Sequence, residues 1–276
     1  MLMSIPQLLL QNKKQTNVEE VKLILTTIPI WLASLTFSLC LAQPATFFVK
    51  QAAATNLHIT AGFSIPPASL YSVGATAMIA TVVAYDRALV PLLRKSFGNE
   101  RGPNILQRIG LGMAISIAAM AVAALVETKR LGLARNEAKT MSLLWLVPQF
   151  VIYGIADGFC LVGLQEYFYD QVPNSMRSLG IALYLSVIAV GSFLSSLFIY
   201  VVDNVTERIN GRTRNGWIGK DLSTSRLDKF YWLLAVMSAL NLCVYVFIAR
   251  AYTYKSVERR YHDRSFVGPN NGVEDI

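Results

Sequence analysis

Long apolar stretches separated by short charged ones set the pattern of this chain. Residues 23–49, 59–85, 109–126, 140–156, 178–202 and 230–249 contain no Asp, Glu, Lys or Arg. A helix rises about 1.5 Å per residue, so roughly 20 apolar residues cross a hydrocarbon layer of about 30 Å. Each stretch reaches that length, the fourth only by taking in Asp157. The pattern predicts an all-α membrane protein of six transmembrane helices, at about 18–49, 66–91, 105–126, 141–169, 175–202 and 229–250. A short tail (1–17) precedes the bundle and a second tail (255–276) follows it.

Local signals refine these spans. Pro29 removes a backbone donor inside the first, where a kink is expected. Ser64 with Pro66 and Pro67 marks the start of the second, since proline is harmless in a first helical turn. Gly110, Ala114 and Ala118 recur every four residues in the third, a stripe suited to close helix packing. Residues 127–139 read as a charged loop. Pro148, Gly154, Gly158 and Gly163 loosen the fourth span, as in the bending helices that line transport sites. In the fifth, the pairs Ala182 with Ser186, Gly191 with Ser195, and Ser192 with Ser196 again signal packing. The 203–228 loop holds a glycosylation sequon at Asn204-Val205-Thr206, close to the membrane, and a turn at Gly216-Trp217-Ile218-Gly219.

Composition agrees with a membrane class: 54% of residues are hydrophobic and 15% charged, where a soluble domain carries about 25% charged. The net charge of +8 fits basic loops beside membrane helices rather than nucleic-acid binding. Cys40, Cys160 and Cys243 fall inside spans without metal spacing and read as core filling. His58 and His262 lie outside the spans, so no metal site is expected. In the opening MLMSIPQLLLQ, Lys13 and Lys14 follow the apolar run instead of preceding it, the wrong polarity for a signal peptide. The chain reads as one missing its beginning.

Chemistry concentrates in 141–170. A carboxylate inside hydrocarbon costs roughly 2.5–3.5 kcal/mol on insertion scales, so Asp157 must face a water-filled cavity or a partner. The other spans offer it no deep Lys or Arg. Glu166 sits nine residues on, near the boundary, and reads as structural or gating. Asp86 and Arg87 close the second span and can lock one conformation of a bundle. Gln43 and Thr46, in the last turns of the first span, are candidates for contact with a solute, although helix-end capping explains them as well. Neither His-Glu-x-x-His, Gly-x-Ser-x-Gly nor paired aspartates in facing spans occur, so an enzyme is not expected.

The segments VEEVKLILTTIPIW, IPPASLY, YDRALVPLLRK, LQRIGLGM, AALVETKRL, VPQFVIYGIADGF, GLQEYFYDQVPNSMRSLG and DKFYWLL together resemble the plant nitrate/peptide transporter family. This is the proton-dependent oligopeptide transporter branch of the major facilitator superfamily. The resemblance covers nearly all of 18–254. It implies a twelve-helix transporter of two six-helix halves rocking about a central site, with the six spans here as helices 7–12, the C-terminal half. The family's glutamate-rich motif of helix 1, associated with proton coupling, and its lysine of helix 4 have no counterpart in this chain. Asp157 matches the acidic position of helix 10, which in the family pairs with that lysine and in peptide carriers meets the peptide amino terminus. Leu41 stands where the nitrate-binding relative has histidine. An apolar side chain cannot donate to nitrate.

The expected function is proton-coupled secondary transport of a small solute: a peptide, nitrate or another organic molecule. The proton is the coupling ion and no cofactor is expected. Being half of such a machine, the chain is expected not to transport by itself. The alternative is a non-transporting truncated six-helix protein that interacts with full-length relatives. Expected partners are the solute, the lipid bilayer and a missing N-terminal half or full-length relative. The expected location is the plasma or vacuolar membrane. Lys and Arg are slightly richer on the side of both termini, which places the termini in the cytoplasm.

Overall fold

One helix organises the rest. The computed structural model describes residues 25–60, 63–91, 105–136, 140–172, 177–209, 216–218 and 225–266, with side chains described up to 251 except at 59, 60 and 63. Among them are six helices long and apolar enough to cross a membrane. They are α1 (Leu25–Ala53), α2 (Pro67–Leu89), α3 (Ile105–Asn136), α4 (Leu143–Asp170), α5 (Arg177–Ile209) and α6 (Leu227–Phe266). Helix α4 is the centre: α3 and α2 pack along it, α5 touches it more sparsely, and α6 packs on α3. A two-stranded antiparallel hairpin, β1 (His58–Thr60) with β2 (Phe63–Ser64), fills the first connection.

Glycines explain why α4 can be central. A methyl group at Gly154 would run into the Gly74 carbonyl of α2. One at Gly112 of α3 would lie 2.6 Å from the Cys160 backbone nitrogen. Missing side chains let these backbones approach, and dispersion then holds helices that lipid would otherwise solvate equally well. The Gly110–Ala114–Ala118 stripe does this only in part. Gly110 faces Tyr245 of α6, but Ala114 and Ala118 are exposed. In α5, Gly191 and Ser195 are buried against α1, whereas Ser192 and Ser196 face outward.

Two departures from the sequence pattern have clear causes. The first helix passes Pro29 and continues to Leu41; its distortion comes at Pro44. There the chain adopts a wide π turn over Pro44–Phe48, and the Phe48 amide reaches back five residues to the Gln43 carbonyl at 3.0 Å. The proline supplies no donor and its ring crowds the preceding turn. Helix α3 does not stop at 126 either. It runs to Asn136, because Glu127 and Arg130 form a bidentate ion pair one turn apart. Its distances are 2.8 and 2.7 Å, and the side chains are 0% and 5% exposed. The pair enters the bundle as a nearly neutral unit.

Aromatic residues hold the end of the bundle where α1 and α3 finish. Phe48 is the hub: its ring packs edge-on against Phe150 at 5.4 Å, Tyr231 at 5.6 Å and Tyr153 at 6.3 Å between centroids. Lys129 stacks on Trp145 at the same end, 3.2 Å from the ring centre.

Candidate functional site

Helix α4 carries a polar stripe. Gln149, Tyr153 and Asp157 recur every fourth residue, so they lie on one face over about 12 Å of helix axis. Asp157 is half-buried within the bundle, and its Oδ1 is enclosed with no hydrogen-bond partner among the described residues. The Tyr153 hydroxyl, one turn earlier, lies within electrostatic reach of that carboxyl but makes no hydrogen bond of good geometry with it. Tyr184 of α5 feels the carboxylate from across the helix interface. The carboxylate is thus turned toward protein, and none of the described cations pairs with it.

The other candidates are not assembled around Asp157. Gln43 is completely buried: its amide Nε2 donates to the Leu39 carbonyl at 2.8 Å and to Ser195 Oγ of α5 at 3.3 Å. In this conformation it joins α1 to α5 and is enclosed by protein. Thr46 is exposed and donates its hydroxyl to the Ala42 carbonyl at 2.8 Å. Asp86 and Arg87 are both exposed, in the π turn Tyr85–Leu89 that ends α2, and neither makes an ion pair with a described residue.

Glu166 has a partner that its position in the sequence does not suggest. Arg108, in the first turn of α3, is buried and donates to Glu166 Oε2 at 3.2 Å. Its guanidinium also stacks over the Tyr85 ring at 4.0 Å and reaches the Gly158 carbonyl at 3.5 Å. One side chain therefore ties α2, α3 and α4 together at the end opposite Phe48. The spans do contain a buried arginine, contrary to the charge pattern, but it serves Glu166 and not Asp157. The signal available was its place immediately before the apolar run 109–126, where it reads equally well as a boundary charge.

Among the described residues no three His, Cys, Asp or Glu come together. The site is a membrane-embedded carboxylate with a neighbouring phenol at mid-span, and a cation-centred clasp toward one end.

Known proteins share this fold. The sequence profile of the POT family (PTR2) matches residues 3–218. Two relatives from Arabidopsis thaliana, Protein NRT1/PTR FAMILY 5.7 and Protein NRT1/PTR FAMILY 5.6, are 55% and 54% identical to the chain. Each alignment covers 88% of this chain but 41% of the relative, so the chain spans less than half the length of either. Among solved structures, an auto-inhibited POT family peptide transporter superposes with a TM-score of 0.68 at 19% identity, over 84% of this chain and 42% of its own. A POT family transporter in complex with 5-aminolevulinic acid gives a TM-score of 0.61 at 9% identity, over 84% and 42%. Six apolar helices, a half-length match at high identity and the same helical fold lead to one assignment: this chain is an integral, multi-pass membrane protein of the POT family of transporters.

Proposed function

We propose that this chain forms one wall of a proton-coupled secondary transporter for a small solute, a peptide, nitrate or another organic molecule. Asp157 is the carboxylate that meets the solute or the coupling proton. The observation that carries the reading is this carboxylate's place: halfway along an apolar helix, turned into the bundle, with an oxygen that no described residue satisfies. Such a group is costly in a membrane and is retained where a cation, proton or solute comes to it. Arg108 with Glu166 acts as a gate at one end of α4, and the exposed Asp86 and Arg87 close on a facing element at that end. Both termini lie on the cytoplasmic side, in the plasma or vacuolar membrane.

Alternating access needs two mobile units around one site. We read the six helices as one such unit, which needs a second six-helix unit to transport. The test is uptake into liposomes driven by an inward proton gradient. The isolated chain is expected to show none. Fused behind the N-terminal six helices of the Arabidopsis 5.7 relative, it is expected to take up solute and to lose that uptake with Asp157→Asn. Uptake by the isolated chain that Asp157→Asn abolishes overturns the one-wall reading. Uptake by the fusion that is indifferent to Asp157→Asn overturns the role of the carboxylate.

A further inference from the structure

The first helix is held by different partners on the two sides of its π turn. Before the turn, side chains join α1 to α5 and α6. Trp31 Nε1 donates to Ser186 Oγ of α5 at 2.8 Å, and Gln43 Nε2 to Ser195 Oγ of α5 at 3.3 Å. From α6, Asn241 Nδ2 donates to the Ala33 carbonyl at 2.8 Å, and Ser238 Oγ lies 3.2 Å from Cys40 Sγ. After the turn, the polar links run to α4 instead. Gln149 Nε2 donates to Gln51 Oε1 at 3.0 Å, with both side chains buried. Just past the helix, the Asn56 amide donates to the Met141 carbonyl at 2.8 Å, and the Asn56 carbonyl accepts the Leu143 amide at 3.2 Å. That parallel bridge fastens the end of α1 to the start of α4. Phe47 and Phe48 also touch Phe230 and Tyr231 of α6. Apolar contacts of this kind are far less directional than hydrogen bonds and tolerate small shifts.

The turn between the two sets interrupts the backbone ladder. Pro44 supplies no amide. The Gln43 carbonyl is shared by the Thr46 amide at 3.1 Å and the Phe48 amide at 3.0 Å, and the Val49 amide turns to the Thr46 carbonyl. Bonds spanning three and five residues thus break the regular spacing of four, and helices bend most readily at such breaks. We infer that Pro44–Phe48 is a joint: the tip of α1, residues 49–56, rides with α4, while its body, residues 25–43, stays with α5 and α6. Hinges of this kind are a few residues that absorb the backbone change between two anchored segments. Phe48 packs on Tyr153, one turn before Asp157, so the joint lies beside the turn leading to the mid-span carboxylate. The inference rests on these contacts and does not depend on transport.

Spin-label distances in the intact chain in detergent test it. Exposed Cys243 is replaced by serine, and pairs of labelled cysteines are introduced at exposed positions. The pair Leu32 with Lys50 reports across the joint, and Lys50 with Gln165 reports the tip against α4. Leu111 with Leu125, both exposed on the uninterrupted helix α3, is the control for a rigid rod. The Leu32–Lys50 distribution is expected to be about twice as broad as the control, and the Lys50–Gln165 distribution as narrow as the control. Pro44→Ala, which restores the missing donor, is expected to narrow the Leu32–Lys50 distribution to the control width. A Leu32–Lys50 distribution as narrow as the control in the parent protein overturns the joint, whatever the variant does. A Lys50–Gln165 distribution as broad as that of Leu32–Lys50 overturns the attachment of the tip to α4.

Discussion

Arg108 and Arg130 are both buried arginines with a carboxylate partner, yet their removal has different consequences. The Glu127–Arg130 pair is fully enclosed. Taking away one member strands a charge in a low-dielectric interior, at a cost of about 3–5 kcal/mol. Glu127→Gln is therefore expected to lower the melting temperature in detergent sharply. The apolar double change Glu127→Met/Arg130→Leu is expected to recover most of the loss, which a thermal-shift comparison of the two variants reads directly. Glu166 is 46% exposed, so its pairing with Arg108 is partly screened and worth about 1 kcal/mol or less. Arg108 also contributes its stack on Tyr85 and its reach to Gly158. Arg108→Ala is accordingly expected to destabilise by about 1–3 kcal/mol more than Glu166→Ala. Equal losses from the two substitutions in denaturant titrations count against a three-helix role for the arginine.

At the scale of elements, the bundle depends on where glycine lets backbones meet. At Gly154, added bulk strikes the Gly74 carbonyl, and at Gly112 it strikes the backbone and Cβ of Cys160. Neither neighbour is the yielding tip of a long side chain. Gly154→Val and Gly112→Val are each expected to cost about 1–3 kcal/mol by forcing α2 or α3 away from α4. Gly132, also in α3, has nothing within 4 Å, so Gly132→Ala is expected to be neutral or to stabilise by about 0.5–1 kcal/mol through helix propensity. Melting curves for the three variants separate packing from propensity within one protein. These are effects that a four-residue spacing of small residues does not reveal. Ala114 and Ala118 have the spacing but face outward, and Gly112, which makes the close approach, lies off that stripe.

At the scale of the whole molecule, the six membrane helices were legible in the sequence because hydrophobic length is a property of each segment by itself. Helix ends were less so. Glu127 and Arg130 look like a loop until one sees that they neutralise each other across a single turn. Partners distant in sequence were not legible at all: Arg108 and Glu166 are 58 positions apart, and nothing in either residue names the other. Asp157 stood out as an acid in an apolar span, but its surroundings depend on helix phase, as does the inward turn of Gln43. The spacing of Gln149, Tyr153 and Asp157 was in the sequence throughout. It gains meaning only when Gln51 is found paired with Gln149.

The sequon at Asn204 shows how a folded helix end overrides a motif. Asn204 lies within α5, its amide donating to the Tyr200 carbonyl at 2.8 Å. Thr206 is buried, and its hydroxyl donates to the Val202 carbonyl and accepts the Trp217 amide at 3.0 Å. Asp203 accepts the Ile218 amide at 3.1 Å, so the 216–218 segment is clasped onto the helix. A sugar transferase needs its asparagine in an accessible surface loop, and this one is presented as a helix. Absence of sugar at Asn204 thus carries no information about which compartment that end of the bundle faces. Sidedness has to be mapped with an acceptor site engineered into a connection, or with a membrane-impermeant thiol reagent on an introduced cysteine.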